Sequence, residues 1–191
     1  MTQNRNPQPD VWEANDPQFS ARQSKPKPEA PQKSSRVLEA VAWGLLTISL
    51  LYFVLTYMNL PHGVPVHFGP DGKADAWGSK KEFLVGPIIL TASTVLIIVL
   101  ARFPQIHNFP LAMHTASAWQ QFYTYSRNMV LWLAIGMGCI GLNITFSTAH
   151  PENTSLGNIL WPLIILFLPI VYYIVKMVRL AGKSRQKMSM G

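Results

Sequence analysis

The sequence predicts an all-α integral membrane protein: four transmembrane helices, a small extracytoplasmic β-hairpin between the first and second, and a disordered N-terminal tail. Three observations carry that prediction. The apolar residues gather in four blocks rather than spreading along the 191-residue chain. Charged residues make up 13% of it, about half the share of an ordinary soluble protein. Lysine and arginine crowd beside the apolar blocks at the two ends, with a formal net charge of +7. Charge placed in this way orients membrane helices, so it argues for a bilayer partner and against a nucleic-acid partner.

Residues 1–36 read as a disordered cytoplasmic tail. They are polar and proline-rich with no periodic apolar pattern, and bury too little surface to offset the entropy of ordering. A cytoplasmic partner or anionic lipid could dock there through Lys25, Lys27, Lys33 and Arg36. Transmembrane helix 1 is expected over residues 37–58. About 20 helical residues cross a hydrocarbon layer of about 30 Å. The long polar lead and the lack of a small-x-small site after "TYMNLPHG" favour an uncleaved anchor over a signal peptide.

Residues 59–79 form the hairpin module and residues 80–101 transmembrane helix 2. Residues 102–128 are a cytoplasmic connection. Its second half, from about Thr115, is expected to be an interfacial helix with Trp119, Phe122, Tyr123 and Tyr125 in an aromatic belt. Helix 3 covers 129–146, an outer loop 147–158 and helix 4 159–178, with a proline kink expected at Pro169; 179–191 is a basic cytoplasmic tail. With both termini in the cytoplasm, thirteen of the 16 lysines and arginines lie inside and three outside. The hairpin is therefore expected to face out.

The hairpin is read from "VPVHFGPDGKADAW". Pro70, Asp71 and Gly72 suit a type I turn followed by a left-handed glycine, the three-residue hairpin loop with a bulge. That loop predicts a register: Gly69 opposite Lys73, Phe68 opposite Ala74, His67 opposite Asp75, Val66 opposite Ala76 and Pro65 opposite Trp77. Alternation then places Val64, Val66, Phe68, Ala74 and Ala76 on an inward apolar face. Pro65, His67, Asp75 and Trp77 form the opposite face. Three readings of that face stand: a structural cross-strand pair, a recognition surface for an extracellular peptide or envelope protein with Trp77 as anchor, and a metal site drawing on His62, His67, Asp71 and Asp75. No nucleophile is paired with a base, so no catalytic residue is assigned, no cofactor is expected, and the chain is not expected to be an enzyme. Ser79 and Glu82 match a capping box that starts helix 2 at Lys80.

The run Leu60–Lys80 resembles the domain that opens the SdpI-type bacterial membrane proteins, relatives of the immunity protein against a secreted sporulation-delaying toxin. Leu60, Pro61, Val64, Pro65, His67, Gly72, Asp75, Trp77, Ser79 and Lys80 carry the resemblance, and Asn108, Phe109 and Pro110 match a later stretch. The resemblance covers about Val37 to Phe146. It implies a bacterial plasma-membrane protein of sensing, immunity or accessory type, and marks Pro65, His67, Gly72, Asp75, Trp77, Ser79 and Lys80 as binding-site candidates. The full immunity protein has a second, longer multi-span half, where this chain offers two further spans and a basic tail. A structural or assembly subunit of an envelope complex is the alternative, and a metal-dependent site at His67 and Asp75 the second.

Three other features are read as packing. "GMGCIG", Gly136 to Gly141, fits a dinucleotide pattern but lies inside a span with no strand before it, so Ala134, Gly138 and Gly141 are read as room for another helix. Asn143 is read as a polar contact between helices, and Glu39 as an interfacial carboxylate. The single cysteine, Cys139, excludes an intrachain disulfide.

Overall fold

A computed structural model describes residues 25–189. Four helices in it are long and apolar enough to cross a membrane. Helix α1 runs Lys33–Asn59 and leads into a hairpin of β1, Gly63–Phe68, and β2, Ala74–Ser79. A single turn, α2, Lys80–Phe83, joins α3, Val85–Leu100, and the two form the second span. Helix α4 is Ala116–Ala149 and α5 is Leu156–Ser189. The spans alternate in direction. The connection from Ala101 to Thr115 and the start of α1 therefore lie at one end of the bundle, and the hairpin lies at the other, beside the turn before α5.

Helix α4 is the hub, packing against α1, α3 and α5. Ala42 and Leu46 of α1, Ile98 of α3, and Ala134 and Ile135 of α4 form one buried cluster. The small residues of the third span settle the dinucleotide look-alike. A Cβ at Gly138 would stand 3.0 Å from the Leu45 side chain of α1, and one at Gly136 would stand 2.8 Å from the Leu166 Cα of α5. The glycines therefore let two neighbours approach, α1 on one side and α5 on the other. Helix α5 packs on α4, and only 6% of its apolar window is buried against 39% for α4.

The end opposite the hairpin is more ordered than the sequence suggests. Helix α1 begins at Lys33 rather than at residue 37. Residues 25–32, read as part of the disordered tail, lie along α4 instead. The Tyr123 hydroxyl donates to the Pro26 carbonyl at 3.0 Å, the Gln120 amide donates to Lys27 O at 2.9 Å, and Glu29 N–H donates to Gln120 Oε1 at 3.0 Å. Lys25 Nζ sits 5.7 Å from the Trp119 ring centre. Prolines at 26, 28 and 31 make this strap stiff, so little entropy is lost when a few side-chain bonds fix it. The rest of the expected tail, residues 1–24, lies outside the described residues.

The expected interfacial helix is the first part of α4, with no break before the span. Its aromatics are not a belt. Trp119, Phe122 and Tyr123 are buried with Met113 of the connection and Met177 of α5. They can be buried because α5 continues as helix well past residue 178, through the segment read as a tail, and Ser184 on it accepts from His114 N–H at 2.8 Å. Helix α5 also continues through Pro162 and Pro169. Glu39 has a partner that the sequence did not reveal: Arg102 Nη2 lies 2.6 Å from Glu39 Oε1, tying α1 to the connection.

Candidate recognition site on the hairpin

The turn forms as its residues dictate. Gly72 takes a φ of 81°, its N–H donates to Gly69 O at 2.9 Å, and Gly69 N–H donates to Lys73 O at 2.8 Å. Asp71 Oδ1 accepts from Lys73 N–H at 3.0 Å, which closes an Asx turn.

Register follows the prediction at two pairs, Phe68 with Ala74 and Pro65 with Trp77. Between them it departs. His67 pairs with Ala76 rather than Asp75, with irregularities on both sides of His67. A bulge re-aims the residues around it, and the alternation of faces fails accordingly. Pro65, expected outward, is buried beside Val64, while Val66, expected inward, is 42% exposed and lies across Gly78. Ala76 is also exposed.

The predicted contact between His67 and Asp75 survives the change of register, as a diagonal rather than a directly opposed pair. His67 Nδ1 is 2.5 Å from Asp75 Oδ1, with both side chains at least half exposed. An exposed pair of this kind contributes about 0.2–1 kcal/mol. Trp77, two residues further along β2 than Asp75, is 62% exposed. Among the described residues, no three His, Cys, Asp or Glu side chains gather as a metal-ligand set. His62 does not complete one with His67 and Asp75.

The other candidates hold the hairpin in place. Ser79 Oγ accepts from Glu82 N–H, and Glu82 Oε2 accepts from Ser79 N–H, each at 3.2 Å, so the capping box is complete. Lys80 turns back to the end of α1. Its Nζ donates to Met58 O and Leu60 O at 3.4 and 3.3 Å and lies 4.5 Å from the Tyr57 ring centre. A cation among the last carbonyls of a helix is favourable. Lys80 therefore locks the hairpin base to α1 and does not project from it.

Gly72 fixes the far end. It is buried, and a Cβ there would overlap the Ser155 carbonyl at the start of α5. The tip thus rests on the turn before the fourth span, a contact across more than eighty residues that no local pattern announces. Beneath it lies a cavity of about 240 Å³ that the sequence did not suggest. Phe68 and Gly72 of the hairpin line it with residues of α4 and α5, among them Asn143. Asn143 was expected to bond another helix; it lines this space, and its side chain makes no hydrogen bond among the described residues.

Residues 44–91 match a family described as Domain of unknown function (DUF1648). The match takes in the second half of α1, the whole hairpin and α2, and the first part of α3. An uncharacterized protein of Archaeoglobus fulgidus is 29% identical over 141 residues, which cover 64% of this chain and 75% of that one. No solved structure matches the chain. The four long apolar helices suggest a multi-pass membrane protein, and its residues 44–91, hairpin included, are similar to a domain of unknown function.

Proposed function

We propose that the protein is a non-enzymatic plasma-membrane protein that recognises a molecule at the outer face through its hairpin, in a sensing, immunity-type or accessory role. Both termini lie in the cytoplasm in this reading, because the end of the bundle opposite the hairpin carries most of the lysine and arginine. The observation that supports recognition most is the state of Trp77. It is a large aromatic left exposed on the strand that also carries Asp75 of the His–Asp pair, on a module held at its base by the Ser79–Glu82 box and Lys80 and at its tip by Gly72. Exposed aromatics on a preorganised support are the usual anchors of binding surfaces. The likeness of Leu60–Lys80 to SdpI-type proteins points the same way and suggests a secreted peptide as the ligand.

The test is a deletion strain complemented with wild type, Trp77→Ala or His67→Ala and challenged with peptide-containing medium from related strains. Recognition predicts that Trp77→Ala leaves cells as sensitive as the deletion while its membrane abundance stays at the wild-type level. Full protection by Trp77→Ala would end this reading.

A second reading, a subunit of an envelope complex, is favoured by α5. Its sparse packing leaves a long apolar face, including Ile164, Leu168 and Val171, for lipid or a partner helix.

A further inference from the structure

We propose that the cavity under the hairpin tip is a binding site for one aliphatic chain of a membrane amphiphile, held at its upper end through an uncharged acceptor oxygen. The site is separate from the Trp77 surface and stands without it. Its walls are Ile140 and Ile144 of α4, Ile159, Pro162 and Leu163 of α5, and Phe68 of the hairpin. At about 240 Å³ it exceeds the apolar cavity of about 150 Å³ that admits benzene in a soluble protein and otherwise stays dry. No charged side chain lines it. An ionic ligand would lose its hydration with no counter-charge in return, so the occupant is neutral within the cavity.

Three polar side chains also line it: Asn143, Ser147 and Asn158. The Asn143 and Ser147 side chains make no hydrogen bond among the described residues, although Ser147 is buried. Asn158 Oδ1 already accepts from Ser155 N–H and Oγ–H at 3.0 and 2.9 Å, which leaves its amide hydrogens to donate. Each of the three can donate to a ligand oxygen. Ser147 is buried, while Asn143 and Asn158 are half-buried with amide hydrogens that a ligand oxygen can take up.

Depth gives the orientation. Ser147 and Asn158 lie two residues from the hairpin-side ends of α4 and α5. Ile140 lies about 10 Å further in than Ser147, at 1.5 Å per residue. Ser147 and Asn158 are shallow, Asn143 lies about one turn deeper, and Leu163 and Ile140 reach furthest in, the order of an acyl chain below its carbonyl. Gly72 both lines this space and rests on Ser155, so the proposed route in is between the helices, from the lipid.

The experiment uses the full chain in phosphatidylcholine nanodiscs doped with a phosphatidylcholine that carries a diazirine midway along one acyl chain. Labelled peptides are mapped by mass spectrometry. The expected result is labelling concentrated on residues 140–147 and 158–163, lost several-fold in Ile144→Trp, which fills the space, and unchanged in Leu168→Trp on the lipid-facing side of α5. Asn143→Leu should weaken capture of the lipid but not of a diazirine alkane that lacks the oxygen. If Ile144→Trp fails to insert, Ile144→Phe provides the same comparison. Labelling spread evenly along α5, Leu168 included, or insensitive to filling at position 144, would mean ordinary contact with bulk lipid and would overturn the proposal.

Discussion

The motif residues of the hairpin do different jobs that the sequence cannot separate. Trp77 and the His67–Asp75 pair face solvent, while Lys80 and Ser79 hold helix ends. Lys80→Met keeps the stem and removes the charge from the Met58 and Leu60 carbonyls. It should lower stability by about 0.3–1 kcal/mol, read as a modest fall in melting temperature in detergent. Trp77→Ala should leave that temperature unchanged, because the ring is largely exposed. At the opposite end, His107 accepts from Ser126 Oγ–H at Nδ1 and donates from Nε2 to Leu100 O, at 2.7 and 3.1 Å. Burial lowers its pKa, with Arg127 adding to that effect against the Leu100 carbonyl. The unfolded chain therefore takes up the proton first. The stability from neutral His107 is complete above its unfolded pKa of about 6.5 and is lost as pH falls from there through the lower folded value. Melting temperatures measured from about pH 7.5 to 5 should fall more for wild type than for His107→Gln.

Elements were legible where a residue acts on its neighbours. The four apolar blocks, the Pro70–Gly72 turn and the capping box all follow from local chemistry, and all are present. The faces of the hairpin were not legible. A bulge near His67 depends on what lies beneath the strands, and it exchanged the places of Pro65 and Val66. Gly72 was read as a turn glycine, and so it is, but it also carries the contact with Ser155. Gly72→Ala should therefore cost more than the roughly 1–2 kcal/mol of a left-handed non-glycine residue. The excess should appear as faster hydrogen exchange in residues 63–79 and around Ser155 together. Faster exchange in the turn alone would mean that the tip and α5 are independent.

At the scale of the molecule, long-range packing decides what composition leaves open. The aromatics of early α4 look like a membrane belt until α5 is seen to extend far enough to cover them, with Met177 and Ser184 reaching the connection. The proline strap, the Glu39–Arg102 pair and the buried Ser35–Asn128 hydrogen bond of 2.6 Å make that end rigid. The hairpin end keeps an exposed Trp77 and a cavity under the hairpin tip. This asymmetry is what a receiving face and a braced base would need, and it makes sidedness the central claim. Lys73, exposed beside the hairpin turn, is the reporter, and the buried Cys139 is first replaced by serine. In intact cells Lys73→Cys should react with a membrane-impermeant maleimide as fully as after lysis. Protection in intact cells, with full labelling once the membrane is opened, would place the hairpin inside and contradict the account.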